Sequence, residues 1–319
     1  MLRRRPSKRV VDANKYNSYV FNFAPLRLAA AVELRTMGSR SQNLVVPEGA
    51  SALIQSLIHE RTGMSFDNGK RDLLIDKLSP LVIERGFTSY LDYYYLLKYD
   101  TASRLEWQNV INALSVQETY FWREFDQVRT LVQTLLPQWH ARNTGSTLRV
   151  WSAACATGEE PLTIAIALNE AGWFERASIE IVASDASSKA IERAREGVYR
   201  ERAFRNLPAS LRDRYFEKEG AGWRIRSDIH RRIKWGLANL VDEEEIAPFA
   251  SADFIFCRNV FIYFSENAIR RAVRSFGKFI RSPGYLFVGA AESLIRLTTD
   301  FNLTEVGDAF VYVKRERVI

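Results

Sequence analysis

Glu159 and Glu160 stand side by side where an apolar strand-like run meets a helix, in the segment Leu148–Leu168, LRVWSAACATGEEPLTIAIAL. Gly158 lets the chain turn there and lets a ligand approach the backbone. Pro161 suits a first helical turn, where its missing N–H costs nothing. A phosphate at such a helix start needs uncovered N–H groups and cationic neighbours. Two carboxylates repel a pyrophosphate and favour an ammonium or sulfonium group instead. The loop also lacks G-x-G-x-x-G, so a nicotinamide dinucleotide fits poorly. The plainer duty of two glutamates is to favour the helix dipole, which accounts for one acid better than for two.

Three more polar groups end apolar runs. Asp185 closes Ile179–Ser184, where a carboxylate can bond ribose hydroxyls or cap the next helix; Ser187 could cap it equally well. Asn239 and Asn259 follow Trp235–Ala238 and Phe254–Cys257. An Asn side chain both donates and accepts, which suits an adenine edge or an amino-acid group, although a lone Asn at a strand end is commonly a turn residue.

The elements that must carry these groups change character along the chain. Residues 1–48 read as a basic, disordered tail, with nine Lys/Arg against three acids, so most of the +7 formal charge lies there. The nearly balanced body argues against a nucleic-acid partner. From 49 to 142 apolar residues recur at helical spacing in five segments, with Pro80 expected to break one of them. From 143 to 319 strand-like runs alternate with helices: Leu148–Ala154, Ile179–Ser184, Asp253–Cys257, Tyr285–Gly289 and Phe310–Lys314. That alternation predicts an α/β domain with a mostly parallel sheet. Residues 197–236 interrupt it, and Trp223-Arg224-Ile225-Arg226 beside Gly220 and Gly222 reads as a small inserted β region. Two cysteines and three scattered histidines form no metal-ligand spacing, so no metal is expected. With no apolar run of about 18 residues and no signal-peptide pattern, the chain is expected to be cytoplasmic, without stable membrane insertion.

Four motifs in order, Thr119-Tyr120-Phe121-Trp122-Arg123-Glu124, Val150–Pro161, Ala183-Ser184-Asp185 and Phe256-Cys257-Arg258-Asn259-Val260-Phe261-Ile262-Tyr263-Phe264, resemble those of the chemotaxis-receptor methyltransferases, the CheR family. The resemblance spans about Leu53 to Lys314. It implies a small all-α domain before a Rossmann-like methyltransferase domain with a β-subdomain insertion. It implies S-adenosylmethionine as cofactor, which carries both an ammonium and a sulfonium group. The implied reaction makes glutamate methyl esters on the cytoplasmic domains of methyl-accepting chemoreceptors. By motif position, Thr119, Arg123, Glu160, Asp185, Asn239, Leu240, Arg258 and Asn259 line the cofactor, and Arg123 and Tyr263 face the reacting methyl group. Methylation of another acceptor, or a cofactor-binding adaptor without catalysis, are the competing functions; the presence of Arg123 and Tyr263 speaks against the adaptor.

Two features, Gln117 and the segment 219–223, depart from the family pattern. Gln117 stands where relatives carry Asn, so its contact with the cofactor is open. Lys70 and Lys77, seven residues apart, share a helix face, which is either solvated or docks on an acidic helical bundle. The segment Glu219-Gly220-Ala221-Gly222-Trp223 is short beside relatives whose β-subdomain binds a receptor's C-terminal pentapeptide, so no such dependence is expected. Titrating a receptor tail peptide should show no binding in the micromolar range; micromolar affinity would overturn this expectation.

Overall fold

A computed structural model describes Leu44 and residues 48–66, 68–100 and 103–316. The tail expected over 1–48 falls almost wholly outside these described residues.

Four helices come first: α1 (Glu48–Thr62), α2 (Arg71–Glu84), α3 (Tyr90–Tyr99) and α4 (Ser103–Leu114). Their apolar stripes, including Ile54, Ile58, Leu74, Leu78, Val82, Tyr93, Leu97, Val110 and Leu114, meet in one core, as three- and four-residue spacing requires. One carboxylate is buried with them. Glu106 accepts Tyr93 Oη at 2.6 Å and Arg85 Nε at 2.7 Å. Pro80 does not break α2, which runs on to Glu84. Just before Pro80, the Ile75 carbonyl accepts Ser79 Oγ at 2.8 Å and Tyr90 Oη at 2.7 Å, which ties α3 to α2 beside the proline.

The fifth helical segment packs elsewhere. Phe125–Thr130 (α5) passes through a π turn, Leu131–Leu135, into Leu136–Arg142 (α6). Val128, Leu131, Leu135 and Leu136 share a core with the sheet rather than with α1–α4. The division between the cores therefore lies before α5, not at 142/143, because the apolar face of this segment meets sheet residues.

The next elements are β1 (Leu148–Ala153), α7 (Glu159–Glu170), α8 (Trp173–Arg176), β2 (Ile179–Asp185), α9 (Ser188–Glu196), β3 (Val198–Tyr199), α10 (Ala209–Tyr215), β4 (Phe216–Glu219), β5 (Gly222–Ile225) and α11 (Ser227–His230). Then come β6 (Ile233–Leu237), α12 (Glu243–Ala250), β7 (Phe254–Phe256), α13 (Glu266–Phe279), β8 (Tyr285–Phe287), β9 (Phe301–Val306) and β10 (Ala309–Lys314). Among the described residues one sheet has the order β6-β2-β1-β7-β8-β10-β9, and β3-β5-β4 form a second, small sheet. Strands β6, β2, β1, β7 and β8 are parallel, while β10 runs antiparallel to β8 and β9. The expected mostly parallel sheet is present, with two strands, β6 and β9, beyond those read from the sequence. Since β6 joins the main sheet, the inserted β region ends before 233.

Helix α7 is apolar almost all round because it is buried almost all round; Leu162, Ile164, Ala165, Ile166 and Leu168 are inaccessible. The other face of the sheet carries α12 and α13, whose Ile246, Ala272, Val273 and Phe276 pack on Trp151 and Ile255. The strand order turns at β1: β2 lies on one side and β7 on the other. Such a switch point opens a crevice beyond the strand carboxyl ends.

Asp253 fastens the opposite end of these strands. Its carboxylate accepts the Arg149 amide at 2.8 Å, Trp139 Nε1 at 3.2 Å and Arg281 Nη1 at 3.0 Å. Each buried donor left without an acceptor costs about 1–3 kcal/mol. Asp253→Ala should therefore lower the urea midpoint by a loss of about 2–4 kcal/mol, and Asp253→Asn by less; an unchanged midpoint would contradict this role.

Candidate active site

The crevice holds a cavity of about 270 Å³ bounded by both the helical bundle and the sheet. Its floor is the β1–α7 loop, in which Ala154, Ala156 and Gly158 all have positive φ. Gly158 (φ +96°) is required for packing rather than for ligand approach: a Cβ there would lie 2.8 Å from Trp235 and 3.1 Å from Ala194. The two glutamates part company at this loop. Glu160 lines the cavity and accepts Ser152 Oγ and Arg258 Nε, both at 2.7 Å. Glu159 turns away, buried, and accepts Thr157 Oγ1 at 2.6 Å; burial raises its pKa. It borders a separate cleft with Arg202 and Tyr199.

Asp185 lines the cavity from the end of β2. Its two oxygens accept the amides of Ala156 at 2.9 Å and Ser187 at 2.8 Å. Burial pushes its carboxyl above the usual carboxylate range, while those amides pull the other way. The cap of α9 is Ser187, whose Oγ accepts the Ala190 amide, so Asp185 is free of that duty. Leu240 and Asn239 form the wall beside it. The Asn239 side chain is engaged within the protein: Nδ2 donates to the Arg61 carbonyl at 2.7 Å and Oδ1 accepts the Val241 amide.

The segment after α4 brings Gln117, Thr119 and Arg123 to the same cavity. Gln117 Oε1 accepts Arg193 Nη1 at 3.1 Å, and its Nε2 lies 3.4 Å from Ser187 Oγ. Arg123 sits between two residues of left-handed backbone, Trp122 (φ 65°) and Glu124 (φ 48°). Non-glycine residues hold that conformation only where the surroundings enforce it. The small β sheet supplies one constraint: Phe121 stacks on Phe204 (5.3 Å) and meets Phe216 and Tyr199 edge-on, and its amide donates to the Ala203 carbonyl. Thr163 Oγ1 accepts the Trp122 amide at 3.2 Å. Arg258 supplies another. Its side chain is 3% exposed and donates to the carbonyls of Arg123 (2.6 Å) and Glu124 (3.1 Å) and to Gln127 Oε1 (3.2 Å), besides Glu160. Arg258 borders the cavity, but its guanidinium is spent on the protein.

Asn259, also left-handed (φ 58°), donates through Nδ2 to Glu124 Oε1 at 3.1 Å. Tyr263 ends a 3₁₀ turn, Phe261–Tyr263, that borders the cavity. Its carbonyl accepts the Ser65 amide at 2.9 Å, and its hydroxyl takes no hydrogen bond among the described residues. Among the described residues the Arg123 guanidinium makes one hydrogen bond, Nη1 to the Glu118 carbonyl at 3.0 Å, and lies 5.6 Å from the Tyr120 ring.

The bundle and the segment after α1 contribute residues that local sequence pattern does not single out as site residues. Met64, Phe66, Leu73, Ile111 and Leu114 border the cavity, as do Lys70 and Lys77. Helical spacing marks such apolar residues as core, and nothing local separates core from cavity wall. Lys70 lies in a 3₁₀ turn (Asn68–Lys70) ahead of α2, so it does not share a helix face with Lys77; both border the cavity instead. The donor set suits S-adenosylmethionine. Ala154, Ala156, Ala186 and Ala238 offer small apolar walls for a flat base, and Glu160 and Asp185 keep unused lone pairs for hydroxyl and cationic groups.

Comparison with known proteins agrees with this donor set. The family model described as the CheR methyltransferase SAM-binding domain matches residues 117–310, and the CheR methyltransferase all-alpha domain matches 51–115. The chain is 33% identical over 274 residues to chemotaxis protein methyltransferase 2 of Vibrio cholerae, covering 85% of this chain and 94% of that relative. It is 32% identical over 268 residues to the chemotaxis protein methyltransferase of Escherichia coli, covering 82% and 91%. A Pseudomonas aeruginosa protein described as a probable biofilm formation methyltransferase is 34% identical over 210 residues, covering 66% of this chain and 49% of that protein. The cofactor is S-adenosylmethionine, the activity is methyl transfer in chemotaxis, and the chain belongs to the CheR methyltransferase family.

Proposed function

We propose that this methyltransferase esterifies glutamate side chains on the cytoplasmic domains of methyl-accepting chemoreceptors. The observation that carries the reading is the pairing of Arg123 and Tyr263 on the cavity that Glu160 and Asp185 line. Both present polar atoms that the protein leaves largely unused among the described residues.

When bound, S-adenosylmethionine supplies an electrophilic methyl group on a cationic sulfur. Gln117, Thr119, Glu160, Asp185, Asn239, Leu240 and Asn259 would hold it, with Asp185 accepting hydroxyls and Glu160 facing positive charge. Arg258 would act through Glu160 and the Arg123 carbonyl rather than by direct contact. The acceptor needs no general base, because a glutamate with pKa of about 4.3 is already ionised at neutral pH. The task of the chain is to orient one carboxylate oxygen and exclude water. Arg123 has the planar fork that binds a carboxylate through two N–H groups, and the Tyr263 hydroxyl can donate a third hydrogen bond. Lys70 and Lys77, which border the cavity, favour an acidic partner surface. Residues 117–124 and 258–263 then belong to the chemistry, and the bundle to partner recognition.

Label transferred from S-adenosylmethionine to a receptor cytoplasmic fragment should be released as methanol in alkali. Arg123→Ala should lower the rate by about 100-fold or more, and Tyr263→Phe by about tenfold, the worth of one hydrogen bond. Alkali-stable label, or a fully active Arg123→Ala variant, would refute the ester mechanism.

Asp185 adds a pH dependence. Its raised pKa means that the folded, ligand-free protein holds this proton more tightly than the unfolded chain does. Its contribution to ligand-free stability is thus present at low pH and lost as pH rises through the raised pKa. The cofactor hydroxyls need the ionised form, so cofactor affinity should move the opposite way. It should rise with pH up to the raised value of the free folded protein and then level off. Calorimetric titration across the acidic range checks this, and Asp185→Asn should abolish the slope.

A further inference from the structure

The loop after β7 bears Arg258, Asn259 and Tyr263, and one buried carboxylate from outside it receives four of the surrounding backbone amides. Glu292 Oε2 accepts the Gly289 amide at 2.7 Å and the Asn259 amide at 2.8 Å. Its Oε1 accepts Phe261 at 2.7 Å and Ile262 at 3.3 Å. The residue is 9% exposed. Two of these amides belong to the 3₁₀ turn that ends in Tyr263. A carboxylate can accept all four N–H groups, whereas any donor in its place would face them.

The Tyr263 hydroxyl has no protein partner among the described residues, so its position is set by the backbone that carries it. That backbone is held by Val260, whose carbonyl accepts the Tyr263 amide, by Ser65, and by Glu292 through the two preceding residues. Packing leaves the clamp little slack. A Cβ at Gly289 would lie 2.5 Å from Asn259 Nδ2 and 2.9 Å from Glu292 Oε2. Glu124 grips the same region from the other side, accepting Asn259 Nδ2 and the Ala290 amide, each at 3.1 Å.

We infer that Glu292 is a positioning residue for methyl transfer, aiming the Tyr263 hydroxyl at the acceptor carboxylate by fixing the turn that carries it. The inference rests on the reading of Tyr263 given above. Glu292→Gln is nearly isosteric but places an NH₂ group against two amide donors. It should lower kcat about tenfold, the amount assigned to the Tyr263 hydroxyl, with cofactor affinity by calorimetry kept within about threefold, a shift under the 1.4 kcal/mol of a tenfold change. A double-mutant cycle separates positioning from general damage. In a Tyr263→Phe background the same substitution should change kcat less than about twofold, because the atom being aimed is gone. Gly289→Ala disturbs the clamp without removing its charge, so it serves where Glu292→Gln does not fold, and it should show the same dependence on Tyr263.

Equal losses in both backgrounds, an unchanged kcat, or a loss confined to cofactor affinity would overturn the role of Glu292 while leaving that of Tyr263 standing. A Tyr263→Phe variant as fast as the wild type would overturn both.

Discussion

The largely buried ion pair between Arg258 and Glu160 joins the segment after β7 to the first turn of α7, which follows the neighbouring strand β1, across the switch point of the sheet. Removing two charges from water is expensive, and their attraction repays it only when the remaining donors are satisfied. Arg258 meets that condition by spending its other N–H groups on Gln127 and on the carbonyls of Arg123 and Glu124. The pair thereby does more than close a gap in the core. It holds Glu160 at the cavity floor and the Arg123 segment at the cavity edge, from a single guanidinium.

Left-handed conformations at Trp122, Glu124 and Asn259 occur on the two segments that Arg258 ties together. Each is unfavourable alone. Each is over-determined by hydrogen bonds from elements distant in sequence, namely Thr163 on α7, Arg258 after β7, and Glu292 before β9. The small β sheet adds the aromatic cluster around Phe121, directly before Trp122. Strain and support therefore coincide on either side of Arg123.

What the sequence disclosed was what is local. Glu160 and Asp185 sit at strand ends beside turn residues, and both border the cavity. Helical spacing in 49–142 and strand–helix alternation after 143 set the fold class. Arg123 and Tyr263 stood out through family resemblance alone, since neither spacing nor composition separates them from packing residues. Arg258 was placed at the cofactor by resemblance, while its ties to Glu160 and to the Arg123 carbonyl, about a hundred residues away or more, leave no local trace. Glu292 was invisible for the same reason. Strand β9 was missed because it is an edge strand with only Phe301 buried, which leaves little hydrophobic period to detect. The division expected at 142/143 missed because α5 and α6 are helices that serve the sheet.

Just after α1, Met64 forms a single β-bridge with Phe264, Ser65 donates to the Tyr263 carbonyl, and the Arg61 carbonyl accepts Asn239. The junction between bundle and sheet is thus a wall of the cavity as well as a connector. A ligand that needs this wall binds only the docked arrangement, so its binding energy also holds the two parts together. By the reciprocity of linked equilibria, any partner that grips the bundle in the docked arrangement raises affinity in the cavity by the same factor. Binding on the bundle and occupancy of the cavity then share one free energy.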